Sequence, residues 1–107
     1  MMVKFFVFFS GAALLLTTSL SAYDEEHLAR LHRQVQKGVS IRCKGFDLRD
    51  ADLSELNLKK ADFSWANLQG AIFAEAELQK ANFSHANLSE ADFEYANLNG
   101  ANFKLAN

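Results

Sequence analysis

Residues 46–107 read F-D-L-R-D, A-D-L-S-E, L-N-L-K-K, A-D-F-S-W, A-N-L-Q-G, A-I-F-A-E, A-E-L-Q-K, A-N-F-S-H, A-N-L-S-E, A-D-F-E-Y, A-N-L-N-G, A-N-F-K-L and A-N. This is a tandem repeat with a period of five residues, running for twelve units without a gap. The third position is always Leu or Phe, and the first is Ala except at Phe46 and Leu56. Each unit therefore offers one large and one small apolar side chain to the same side of the chain. A heptad coiled coil is excluded, because five residues of helix rotate about 140° and spread these positions over all faces.

The repeat resembles that of the pentapeptide-repeat family, whose motif is A-[D/N]-L-x-x, and the resemblance covers residues 46–107. It implies an all-β solenoid in which four units make one turn of a right-handed quadrilateral β-helix. The twelve units would then form about three coils. We therefore expect a second period of twenty residues in the sequence.

That period is visible in the large apolar residues. Residues twenty apart are chemically alike except at Leu53, so each predicted coil has two opposite Phe walls and two opposite Leu walls. This alternation keeps the core volume of successive coils nearly constant. The predicted inward columns are Leu48, Leu68 and Leu88; Leu53, Phe73 and Phe93; Leu58, Leu78 and Leu98; and Phe63, Phe83 and Phe103.

The N-terminus has the pattern of an export signal. Lys4 precedes an apolar run over residues 5–16, and small and polar residues follow up to Ala22. The run is shorter than the roughly 20 apolar residues of a membrane span, so residues 1–22 are predicted to be a signal peptide cleaved after Ser21 or Ala22. The sequence then predicts a periplasmic or secreted protein without stable membrane insertion. The alternative is an uncleaved N-terminal anchor.

Residues 23–38 carry both end signals of a helix. Asp24 is a good N-cap, and Gly38 can take the left-handed conformation that ends a helix. An apolar stripe, formed by Leu28, Leu31 and Val35, predicts that the helix lies on an apolar surface. We expect a capping α-helix over the first coil, with docking on an external surface as the alternative. Residues 39–45 connect the helix to the repeat.

Cysteine and histidine are too few for a disulfide framework or a multi-thiolate zinc site. The chain has one cysteine, Cys43, and three scattered histidines. No metal or cofactor site is predicted. The five-residue register places Cys43 at an inward position, so it is either a buried small hydrophobe or an intermolecular or reactive thiol.

Charge argues against nucleic acid as a partner and against mimicry of it. The formal net charge is −2, and the basic residues form no stripe. The best-known members of the family that the repeat resembles look like DNA duplexes and bind DNA gyrase. Three coils would be only about 15 Å tall. The repeat has a net charge of −5, against about nine negative charges on such a length of duplex. A DNA-mimic topoisomerase inhibitor is therefore disfavoured.

No catalytic motif appears, and Ser84 and His85 are outward-pointing neighbours rather than a dyad. The sequence predicts a non-catalytic structural or protein-interaction module. One candidate protein contact is an outward column with twenty-residue spacing, formed by Trp65, His85 and Leu105. Incidental exposure of these residues is the alternative. If the column is the functional surface, the protein is an envelope- or host-facing binding module with an unknown partner.

The second candidate surface is the last predicted coil. Solenoids normally need a polar cap, but the sequence runs in the repeat up to Asn107. A homodimer paired through this coil would cover its apolar side chains; a truncated reading frame is the alternative. The candidate self-association residues are Leu88, Phe93, Leu98 and Phe103.

Overall fold

The computed structural model describes residues 2–10 and 13–107, with side chains from Ala22 onward. Strands β1 (Met2–Ser10) and β2 (Ala13–Ser21) pair antiparallel, from Met2 opposite Ser21 to Ser10 opposite Ala13. The predicted signal peptide, residues 1–22, lies partly outside the described residues, and its cleavage stays a prediction.

Helix α1 (Glu25–Lys37) follows, and the residues that flank it form hydrogen bonds with the backbone groups at both of its ends. The Asp24 carboxylate accepts the backbone N–H groups of Glu26 (2.9 Å) and His27 (3.2 Å), which have no partner within the helix. Gly38 ends the helix at φ 65°, a left-handed conformation that glycine adopts without steric cost. The local sequence is therefore sufficient to set the helix limits.

A β-helix-like solenoid occupies the chain from Arg42 onward. Nine parallel bridges join residues that are twenty apart, from Arg42 with Asp62 to Asn82 with Asn102. The Leu68 N–H donates forward to the Asn87 carbonyl at 2.8 Å, and the Asn87 N–H donates back to the Ala66 carbonyl at 3.0 Å. This pattern repeats along the solenoid and confirms the predicted twenty-residue period.

The interior is filled by the large residue of each unit. Phe63 and Phe83 stack at 5.3 Å between ring centroids, and Phe83 and Phe103 at 5.0 Å. Phe73 meets both Phe63 and Phe83 edge to face, at 5.7 and 5.6 Å. The predicted Phe columns are thus confirmed, and they touch across the interior in the edge-to-face geometry that aromatic pairs favour.

Outward Asp and Asn side chains stabilise the backbone of their own unit. The Ser54 N–H donates to the Asp52 carboxylate at 3.0 Å, and the Glu94 N–H donates to the Asp92 carboxylate at 2.8 Å. The acceptor is two residues before the donor, which is the local bonding that favours Asp and Asn in turns. This explains why the second position of the repeat is so often Asp or Asn.

Helix α1 packs on the core through its apolar stripe: Leu31 is fully buried, and Leu28 and Val35 are partly buried against the core. Polar and aromatic groups add to the contact with the first coil. His27 stacks on Phe46 at 4.4 Å, and its Nδ1 accepts the Asp47 N–H at 3.0 Å. The Asp24 N–H donates to the Asp47 carbonyl at 3.0 Å. Phe46, at one of the two first positions without Ala, is therefore in contact with the helix. The role of His27 was not predicted.

The interior position of Phe83 predicts a large loss of stability on truncation. Phe83 is fully buried between Phe63 and Phe103, whereas Ile72 is 37% exposed. Phe83→Ala should lower the free energy of unfolding by about 3–5 kcal/mol, and Ile72→Ala by less than half as much. Urea denaturation of both variants measures the difference. Equal losses would contradict the described interior.

The Asp47–Arg49 pair predicts a pH-dependent contribution to stability. Its two hydrogen bonds, at 2.9 and 2.8 Å, lower the pKa of the Asp47 carboxyl below its ordinary value. A lowered pKa in the folded state adds stability that is complete above the unfolded pKa of about 4 and is lost as pH falls through the folded value. Arg49→Gln should therefore reduce the urea midpoint at pH 7 more than at pH 2.5. A difference in urea midpoint between Arg49→Gln and the parent that does not depend on pH would contradict this. Asp47→Asn, which removes the titrating carboxylate, is the control.

Candidate functional site

The backbone turns each last-position side chain of the repeat outward. Trp65, His85 and Leu105 have φ values of 62°, 61° and 60°, a left-handed conformation that disfavours bulky residues. The Trp65 N–H donates to the Ser84 carbonyl at 2.9 Å, and the His85 N–H donates to the Lys104 carbonyl at 3.0 Å. The hydrogen bonds between coils therefore fix the spacing of this column.

The structure brings Trp65 and His85 into direct ring contact. Their centroids are 4.1 Å apart and their planes differ by 5°. Trp65 is 60% exposed, and Leu105, one coil beyond His85, is 69% exposed. Trp65, His85 and Leu105 are called the aromatic column below. Its role as a protein contact stays a prediction.

Polar side chains lie beside this column on the same wall. The Asp62 carboxylate accepts the Ser64 N–H at 2.9 Å and the Ser64 hydroxyl at 2.6 Å. Asn82 accepts the Asn102 amide at 3.3 Å. We call this surface the aromatic wall; it consists of residues 41–45, 61–65, 81–85 and 101–105.

The second candidate surface is the C-terminal coil, residues 86–107. Its four large residues are less buried than their counterparts one coil earlier, Leu68, Phe73, Leu78 and Phe83, which are fully buried. Phe103 is 39% exposed. The other three are partly buried against the core, and they are Leu88, Phe93 and Leu98.

The backbone of the C-terminal coil also has unused hydrogen-bonding groups. In earlier coils, the N–H of the third position donates to the next coil, as Phe83 does to the Asn102 carbonyl at 2.7 Å. The corresponding N–H groups of Leu88 and Phe103 have no such partner within the described residues. The Ala71 carbonyl accepts the Asp92 N–H, but the Ala91 carbonyl has no equivalent donor there. The coil therefore presents both donors and acceptors.

Cys43 lies at an inward position of the first coil and is fully buried. Burial raises the pKa of its thiol to about 12, while Arg30 acts in the opposite direction. The thiolate is the reactive form, so this environment favours a packing role over a reactive one.

The described residues contain no candidate metal-binding cluster and no candidate membrane-spanning helix. No three His, Cys, Asp or Glu residues there are placed to hold a metal ion. No helix there has the length and apolar composition needed to cross a membrane.

The repeat matches a known protein family. A family model described as pentapeptide repeats matches eight copies, over residues 41–73 and 71–107. Among solved structures, the chain is similar to a pentapeptide repeat protein from Nostoc Pcc 7120, with 30% sequence identity and a TM-score of 0.31. That alignment covers 69% of this chain and 73% of the Nostoc protein. No curated protein matches the chain.

Proposed function

The chain belongs to the pentapeptide repeat family, and from that premise we propose that it is an exported, non-catalytic interaction module that pairs with a second copy through its C-terminal coil. The module is a right-handed, four-sided β-helix of about three coils. Helix α1 caps the first coil, which is supported by its bonds to Asp47 and by the bond from the Arg42 N–H to the Gln34 side chain.

The observation that carries self-association is the exposed interior of the C-terminal coil. Phe103 is 39% exposed, although Phe83 directly below it is fully buried. An uncovered coil edge is a template for pairing with another chain. A second copy supplies the same Leu and Phe side chains, and within one chain like residues already stack, as Phe73 and Phe93 do at 5.0 Å.

The unused backbone groups favour the same partner. The C-terminal coil presents N–H donors at Leu88 and Phe103 and a carbonyl acceptor at Ala91. Two identical ends can therefore exchange donors and acceptors about a two-fold axis, which is the closed arrangement of most homodimers. Pairing would bury the apolar side chains and satisfy these groups together.

Export is supported by the sequence of the first 22 residues. The single charge at Lys4, the apolar run over residues 5–16 and the small residues ending at Ala22 fit a cleaved secretory signal. We place the processed protein in the periplasm or outside the cell.

A non-catalytic role is supported by the functions that the polar side chains already have. The Asp and Asn residues at the second position of the repeat bond their own backbone, as Asp52 and Asp62 do. Their abundance therefore has a structural cause and does not indicate a carboxylate active site.

The aromatic column supports a second candidate function, a binding module that faces the envelope or a host. The stacked, 60% exposed Trp65 is the observation that favours it. Large aromatic side chains dominate the energetics of protein contacts. This function needs no dimer.

Light scattering after size exclusion tests C-terminal pairing. The purified protein should be a dimer over a broad concentration range and insensitive to reductant, because Cys43 is buried. Phe103→Lys should weaken dimerisation by at least about tenfold, as expected for a charge introduced into an apolar contact. Asn99→Ala, an exposed change in the same coil, is the matched control and should leave the dimer intact.

Three results would contradict the pairing. A monomer at all concentrations would reject it and leave the aromatic column as the candidate surface. A dimer that reductant dissociates would assign the contact to Cys43. A dimer unaffected by Phe103→Lys would place the contact elsewhere on the protein.

A further inference from the structure

One face of the Trp65 indole ring is open to a flat group. His85 covers the other face at 4.1 Å. The residue twenty positions before Trp65 is Gly45, and a Cβ atom added there would meet nothing within 4 Å. The space in front of the Gly45 backbone, one coil before Trp65 in the column, is therefore open, and we call this space the slot.

The charges of the aromatic wall favour an anionic partner. The aromatic wall carries three exposed basic residues, Arg42, Lys44 and Lys104, against one carboxylate, Asp62. None of the three basic side chains forms an ion pair with a carboxylate of the described residues. Asp62 is already bonded to Ser64. A ring with carboxylates beside it would suit both the slot and its surroundings.

The opposite wall of the same protein has that chemistry. It consists of residues 51–55, 71–75 and 91–95, and its Phe73 touches Phe63 of the aromatic wall through the interior. Tyr95 is 83% exposed and Ile72 is 37% exposed. We call it the acidic wall, since it has no basic residue and five carboxylates: Asp52, Glu55, Glu75, Asp92 and Glu94.

We propose that the aromatic wall of one copy binds the acidic wall of a second copy, with the Tyr95 ring stacked on the open face of Trp65. Tyr95 lies in the last coil and the slot lies at the first, so the second copy is inverted relative to the first. In that orientation Asp92 and Glu94 approach Arg42 and Lys44. This inference rests on the proposed function as an interaction module, but it uses the outward faces of two walls, including Tyr95, and not the partly exposed inward residues through which the C-terminal coil is proposed to pair.

The contact joins two different walls, so each copy keeps one wall free. Such a heterologous contact extends into an open chain of copies rather than closing. A wall about 15 Å tall buries much less than the roughly 800 Å² per partner of a stable complex. The association is therefore weak, and it weakens further with salt because the charges are exposed.

Complementary variants test this contact, because Trp65 is the protein's single tryptophan. Tyr95→Ala keeps the slot but loses the ring that fills it, and Trp65→Ala keeps that ring and contributes no tryptophan emission. Titrating Trp65→Ala into Tyr95→Ala should shift the Trp65 emission to saturation. Raising salt from about 0.05 to about 0.5 M should increase the apparent Kd roughly tenfold.

The matched control is the double variant Trp65→Ala/Tyr95→Ala, titrated into Tyr95→Ala in the same way. It retains any pairing through the C-terminal coil and lacks only the proposed ring, so it should give no saturating shift. Equal shifts from both titrants, or no shift from either, would overturn the proposal. Neither result bears on the C-terminal dimer, which light scattering of Phe103→Lys tests separately.

Discussion

The structure depends on the hydrogen bonds between coils, which form parallel bridges between residues that are twenty apart. These bonds fix which side chains are neighbours. They place Phe83 between Phe63 and Phe103 in the interior, and His85 on Trp65 outside. Because every unit has the same backbone, one register determines both the core and the chemistry of each wall.

The same register also assigns core packing and surface contacts to different positions of each unit. The first and third positions of each unit face inward, and little besides Ala, Leu and Phe fits there. The outward positions carry charges and aromatic rings with few packing constraints. A wall can therefore acquire Trp65 or Tyr95, both more than half exposed, without altering the core. The C-terminal coil is different because its inward side chains are themselves partly exposed, and this is why we propose it as the self-association surface.

The five-residue spacing was sufficient to predict the inward position of Cys43. The twenty-residue period and the Phe columns came from the family resemblance, which implies four units per coil. Asp24 and Gly38 likewise indicate the helix limits by local chemistry. The contacts of His27 with Phe46 and Asp47 could not be predicted, because they depend on how the helix lies on the first coil. The pairing of β1 with β2 was also missed, because periodicity alone does not assign a continuous apolar run to a strand.

The aromatic column could be predicted from the sequence only in part. Its twenty-residue spacing was predicted from the sequence, and the structure places Trp65 and His85 in contact at 4.1 Å. The open indole face above Gly45 is a three-dimensional property, visible only when the space around that glycine is known.

The most direct test of the twenty-residue register is a measurement on inserted coils. One variant duplicates residues 66–85 after His85, and a second carries the same insert with one extra serine after its Ser84. Urea unfolding should show a higher midpoint and a larger m-value for the twenty-residue insert than for the parent, because stacked repeats add stability and buried surface. The extra serine should cancel the gain in midpoint, because it breaks the register of every following unit. Equal midpoints for the two inserts would contradict the account.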